Sequence, residues 1–239
     1  MTSNSTKSCF VIATGNPGKC REFAALLADF ISPHWKIFDR QNFPDPLAEV
    51  EETGSTFREN AILKAAETSR QTGCPALADD SGLDVDALGG APGVYSARYA
   101  GEDATDDDNN HLLIERLKGV PTEERTARFV SVICLALPDH PISMEILARR
   151  DLSWDEVEAS AADTPGDFTR QDDLVLLWFR GTVEGRIAEQ PAGDRGFGYD
   201  PYFFVPQWGK TMAEVPLNKK NSISHRADAA RQLVAFFGG

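Results

Sequence analysis

The sequence predicts an α/β protein in which a mixed β-sheet is flanked by helices. Two observations carry that prediction. Up to Gly119, short apolar runs of strand type alternate with stretches whose apolar residues recur at helical spacing, whereas from Thr126 onward strand-type runs cluster. Alternation calls for parallel crossovers and clustering for antiparallel neighbours, so the two together favour a mixed sheet over an all-parallel one. Size is the third support: 239 residues, 41% hydrophobic and 26% charged, are enough to bury a sizeable core as one large domain or two small lobes.

The elements follow in order. Residues 1–7 are polar and read as a mobile tail, so a single domain is expected over 8–238. Cys9-Phe10-Val11-Ile12-Ala13 is a buried-type strand. Thr14-Gly15-Asn16 turns the chain, and Pro17 suits the first helical position with Asn16 as its cap. Phe23, Leu26, Leu27 and Phe30 then lie on one helix face. A second helix is predicted from a Thr56 cap, boxed by Glu59, to Gly73. A third runs from a Thr105 cap to Gly119 with Leu112, Leu113 and Leu117 inward. Strands are expected at Phe129–Leu137, Leu174–Phe179 and Tyr202–Val205, and a last helix near Ser224 presents Ala227, Ala230, Val234 and Phe237. Residues 139–172 are acidic and show little periodic order, which predicts an inserted surface excursion with a short helix around Trp154.

Composition removes several function classes. A net charge of −13 argues against nucleic acid as a partner, because duplex binding relies on neutralising phosphates. The longest apolar stretch, Phe129–Leu137, is too short to span a bilayer. The first residues carry Lys7 and only a five-residue apolar run, so no secretory signal is readable and the sequon Asn4-Ser5-Thr6 has no weight. Cysteines at 9, 20, 74 and 134 form no metal-type pair and read as reduced thiols of a cytoplasmic protein.

The stretch richest in chemistry is Ala78-Asp79-Asp80-Ser81-Gly82-Leu83, where two carboxylates end an apolar segment. Acids beside apolar residues cost free energy unless a cation, hydrogen bonds or a proton compensates them. A strand end feeding an acid-rich turn suits a hard metal ion, although Asp, Ser and Gly also make ordinary solvated turns. Thr14-Gly15-Asn16-Pro17-Gly18-Lys19 lies between a strand and a helix start, where free N–H groups, the helix dipole and Lys19 favour a phosphate. It is not a Walker loop, since Ala13 and Cys20 stand where that motif needs Gly and Ser or Thr. Glu51 and Glu52 precede the helix that carries Lys64. Gly196-Phe197-Gly198-Tyr199-Asp200-Pro201 suggests backbone kept close to a ligand, with Phe197 able to stack on a base. Lys219, Lys220, His225 and Arg226 gather at the last helix start, where cations oppose the dipole and an anionic ligand would relieve them.

Taken together, these segments resemble the inosine triphosphate pyrophosphatase family, the Ham1-like proteins. The matching runs are 13–19, 51–64, 78–83, Gly89-Gly-Ala-Pro-Gly-Val-Tyr-Ser-Ala-Arg98, 196–201 and Ser224-His225-Arg226. They span nearly the whole chain in the family's order, and the best likeness is to bacterial-type members. The connection at 139–172 is longer than those members usually have.

The resemblance implies a long mixed sheet, two lobes around a nucleotide cleft, a homodimer, and a purine nucleoside triphosphate as substrate. It implies hydrolysis of ITP, dITP and XTP to monophosphate and pyrophosphate by water attack on the α-phosphorus, with Mg2+ as cofactor. Asp80 would be general base and metal ligand, Glu51 the partner ligand, and Asp79 and Glu52 supporting acids. Lys19, Lys64 and Lys220 would hold the phosphate chain. Thr14, Gly15, Asn16, Pro17, Gly18 and Ser81 would add polar contacts. Phe197, Gly198, Tyr199, Asp200, His225 and Arg226 would receive the base. Two rivals are a Maf-like pyrophosphatase for modified nucleotides, and a nucleotide-sensing module that binds without turnover.

Overall fold

The computed structural model describes residues 8–157, 164–216, 219, 220, 222 and 224–238. The expected tail at 1–7 lies outside them, as do 158–163 within the acidic connection. Eight strands are found among the described residues: β1 Cys9–Ile12, β2 Lys36–Asp39, β3 Ala76–Val85, β4 Thr126–Leu137, β5 Thr169–Gln171, β6 Leu174–Ile187, β7 Phe203–Val205 and β8 Lys210–Thr211. The principal helices are α1 Pro17–Leu26, α2 Phe57–Thr72, α3 Asp106–Arg116, α4 Pro141–Ala148 and α5 His225–Phe236. The chain divides into two compact units, one of residues 8–80, 132–180 and 229–238, the other of 81–131 and 181–228.

In the first unit the strand order is β2-β1-β3-β4-β6, with β5 on β6. β1 runs parallel to both β2 and β3, Val11 facing Phe38 and Ala76, whereas β5 pairs antiparallel with β6. The core gathers Phe10, Phe23, Leu27, Phe30, Trp35, Leu77, Leu135 and Leu233. Phe10 stacks on Trp35 at 5.6 Å between ring centroids, a favourable offset distance for aromatic pairs. The second unit contains the other ends of β3, β4 and β6, continued by β7 and β8, which pair antiparallel. Its core is Leu83, Val85, Leu113, Leu117, Phe129, Ile187, Phe203 and Val205. The sheet is therefore mixed and flanked by helices, as expected.

The helix starts form where local chemistry places them. Asn16 Oδ1 accepts from the Gly18 and Lys19 N–H groups to cap α1. Thr56 and Glu59 form a capping box on α2, which ends at Gly73 in the left-handed region with φ 66°. Thr105 and Asp108 do the same for α3. Ser224 Oγ accepts from Ala227 N at 3.1 Å at the start of α5.

Several expectations are corrected. β3 does not end at the acids: it is ten residues long and runs through Asp79 and Asp80 to Val85. β6 extends past Phe179 to Ile187, and β2 carries no alternating pattern that announces it. α1 stops at Leu26, so Phe30 enters the core from the turn after it. Leu112 and Val234 are only half-buried. The acidic connection is not wholly a surface excursion either. Its residues 141–148 form α4, whose Ile142, Ile146 and Leu147 join the first unit's core together with Val157.

Candidate active site

The first unit holds a cluster of acids and lysines. β3 carries Asp79 and Asp80 side by side, 5% and 7% exposed, so each carboxylate has left water. Lys19, two residues into α1, donates to Asp79 Oδ2 at 2.8 Å. Lys64, midway along α2, donates to Asp80 Oδ1 at 2.8 Å and to Glu52 Oε1 at 3.1 Å. These pairings explain why β3 continues as a strand: buried acids with lysine partners need no turn into solvent.

The electrostatics follow from burial. Desolvation pushes the Asp80 carboxyl above the ordinary carboxylate range, Glu52 and Asp79 add to the rise, and Lys64 opposes it. For Lys64, burial alone disfavours the ammonium, but Asp80, Glu52 and Asp79 together outweigh it and hold the lysine above its usual value.

The structure places the other expected phosphate contacts less simply. Gly18 and Lys19 N–H are already bound by Asn16 Oδ1, and Asn16 N–H donates to Thr14 Oγ1. The N–H groups of Asn16, Gly18 and Lys19 are thus engaged within the loop, and the Lys19 side chain is on Asp79. The Gly15 carbonyl accepts from Gln41 Nε2. Pro17 opens α1. Glu51 is exposed, in the irregular segment before α2, and it is Glu52 that reaches Lys64.

The second unit holds an aromatic and cationic group. Phe197 is 55% exposed, uncommon for so large an apolar side chain. Lys220 Nζ lies 4.9 Å from its ring centroid and Arg226 5.8 Å. Lys220 is buried and bonded to the buried Asp200, which also accepts from Phe197 N–H at 3.0 Å. Lys220, expected among the phosphate lysines, is therefore tied into the Phe197 loop. Arg226 donates to Ser81 Oγ at 3.0 Å, and His225 stacks on Phe129 with centroids 5.1 Å apart. Tyr199 is buried with its hydroxyl on the Ser96 carbonyl at 2.8 Å, so it anchors the loop, and burial pushes its phenol upward. Gly198 N–H donates to Asp106 Oδ2 at 2.7 Å, and its carbonyl accepts from Asn110 Nδ2 at 2.9 Å.

The sequence reading missed Asp106, Asn110 and Asn60. Asn60 is fully buried in α2, and its Nδ2 donates to Asp80 Oδ2 at 3.3 Å. A polar residue inside a helix's buried face was the available signal.

No group of three or more His, Cys, Asp or Glu side chains among the described residues is arranged to hold a metal ion. A cation at Asp80 would thus take few protein ligands. As neighbours in a strand, Asp79 and Asp80 face opposite ways, so Asp80 is the one of the two suited to a hard divalent ion, whose other positions water and phosphate would fill.

The fold is mixed α/β, with buried acids matched to lysines in the first unit and an exposed aromatic flanked by cations in the second. The chain belongs to the Ham1 family, whose model matches residues 10–149 and 158–236. A protein of Geobacillus kaustophilus named dITP/XTP pyrophosphatase is 47% identical over 223 residues, covering 93% of this chain and 91% of that one. One of the same name from Shigella flexneri is 45% identical over 224 residues, covering 94% and 95%. The structure of a HAM1 protein from Coxiella burnetii superposes with a TM-score of 0.72 at 39% identity, covering 95% of this chain and 96% of that one. The residues left between the matched segments, 150–157, fall inside the acidic connection.

Proposed function

We propose that this chain hydrolyses non-standard purine nucleoside triphosphates, namely ITP, dITP and XTP, to the monophosphate and pyrophosphate, with Mg2+ as cofactor. The observation that supports this most is the cluster in which Lys64 joins Glu52 to Asp80 while Lys19 pairs with Asp79. Buried ion pairs are weak stabilisers, often matched by apolar residues of equal volume. Their presence is accounted for by a ligand that exchanges partners with them, phosphate for the lysines and a cation for the carboxylates. The names of the relatives from Geobacillus kaustophilus and Shigella flexneri support the choice of substrate.

Glu51 and Asp80 would hold the ion, which when bound supplies neutralisation of the triphosphate's charge. Asp80 accepts the proton of the attacking water, and a carboxyl raised above its usual range is the better base for it. The water oxygen joins the α-phosphorus as the bond to the bridging oxygen breaks, and the leaving pyrophosphate carries the charge away. Lys19 and Lys64 turn from their carboxylates to the phosphate oxygens and stabilise that charge.

Phe197 offers the stacking face for the base. Hypoxanthine and xanthine carry an acceptor at position 6, which donors from His225 and Arg226 would satisfy. Adenine presents an amino group there and leaves them unpaired, at about 1–3 kcal/mol per group.

Purified protein given Mg2+ and ITP should release IMP and pyrophosphate; IDP with orthophosphate would overturn the reading. We also read the protein as a cytoplasmic homodimer. A net charge of −13 speaks against nucleic acid, and no helix among the described residues is long and apolar enough to cross a membrane. Light scattering giving a mass near 26.2 kDa instead of twice that would refute the dimer.

A further inference from the structure

Asn60 has no exposed surface, yet both ends of its amide are engaged. Its Oδ1 accepts the Gly54 N–H at 2.7 Å, and its Nδ2 donates to Asp80 Oδ2 at 3.3 Å. The other Asp80 oxygen is held by Lys64 at 2.8 Å, so the carboxylate is tethered through both atoms. The Gly54 bond draws in the irregular segment that carries Glu51 and Glu52. That approach is so close that a Cβ on Gly54 would stand 2.6 Å from Asn60 Oδ1. A neutral carboxamide is the group suited to this position, because it accepts on one side and donates on the other without adding charge.

We propose that Asn60 is a positioning residue that holds the Asp80 carboxylate and the Glu51–Glu52 segment in the mutual register a shared cation requires, a role that rests on the proposed pyrophosphatase reading. Small misplacements of such groups cost large factors in rate, which gives the role a measurable signature.

The test compares wild type with Asn60→Ala and Asn60→Asp, the latter keeping the acceptor for Gly54 but losing the donor to Asp80. Mn2+ affinity is measured on the nucleotide-free proteins by electron paramagnetic resonance, and kcat and KM for ITP by pyrophosphate release. Asn60→Ala should bind Mn2+ at least tenfold more weakly and lose at least tenfold in kcat with KM within about twofold. Asn60→Asp sets a second buried acid against Asp80, so it should recover neither the stability nor the kcat of wild type. A folded Asn60→Ala protein with Mn2+ affinity and kcat within twofold of wild type overturns the inference. So does Asn60→Asp if it recovers kcat together with stability. Should Asn60→Ala fail to fold, Gly54→Ala breaks the same link from the other side and is judged by the same readouts. If wild type itself releases no pyrophosphate, the functional reading fails, while the Mn2+ comparison still decides the role of Asn60.

Discussion

Lys64 Nζ lies 2.8 Å from Asp80 Oδ1 and 3.1 Å from Glu52 Oε1, so one ammonium from the middle of α2 balances acids from a strand and from the irregular segment before α2. The lysine side chain is 15% exposed and that of Asp80 9%, which makes the pair a buried one. Lys64→Met should therefore leave Asp80 uncompensated and destabilise the nucleotide-free protein by about 3 kcal/mol. Urea denaturation measures this; an unchanged midpoint would show that the pair carries no stability.

Asp80→Asn keeps the side-chain shape but cannot take a proton from water. Turnover of ITP should fall by orders of magnitude while circular dichroism stays that of wild type. A rate within tenfold of wild type would assign the base elsewhere.

The raised Asp80 carboxyl also has a sign that can be read in stability. Its folded pKa exceeds its unfolded one, so the folded state holds the proton more tightly and stability falls as pH rises between the two values. In chelator-treated, nucleotide-free protein, the Tm of wild type minus that of Asp80→Asn should decline from pH 4 toward neutrality. A flat or rising difference contradicts the burial argument.

Phe197→Ala removes the exposed ring beside Lys220 and Arg226. Base stacking on an aromatic is worth about 1–3 kcal/mol, so KM for ITP should rise by roughly 5- to 150-fold. Because every purine has the same kind of face, the ratio of ITP to ATP activity should hardly move. Arg226→Ala, by contrast, should narrow that ratio by about tenfold or more. Steady-state kinetics on the two nucleotides separates the effects.

Gly196 adopts φ 81°, and a Cβ there would meet Asp200 Oδ2 at 2.0 Å. Gly196→Ala should displace Asp200 from Phe197 N–H and Lys220, destabilising the protein by about 1–3 kcal/mol. Thermal melting checks the loss, and a Tm equal to wild type would mean the loop relaxes freely.

The helix starts were legible because capping is local: Asn16, Thr56 and Thr105 each bond donors within three residues. The aromatic loop at 196–201 and the acids at 79 and 80 could likewise be singled out by residue type. α4 was missed although Pro141 stands at its first position and His140 caps it, because the acidic composition around it suggested solvent. β2 is four residues long and mostly half-exposed, so it shows neither alternation nor an apolar run. Asn60 stands out as a polar residue on a helix's buried face, but its partners, six and twenty residues away, could not be read from the sequence.

By itself, the sequence determined the elements whose signals act over a turn or less, and the order of motifs that places the chain in its family. Only the tertiary structure decided that Asp79 and Asp80 continue a strand, which lysine balances which acid, and that Glu52, not Glu51, joins Asp80 on Lys64. The reason is that charge compensation depends on distance through space and on burial. Lys19 meets Asp79 across sixty residues of chain, a separation at which residue type alone says nothing about proximity.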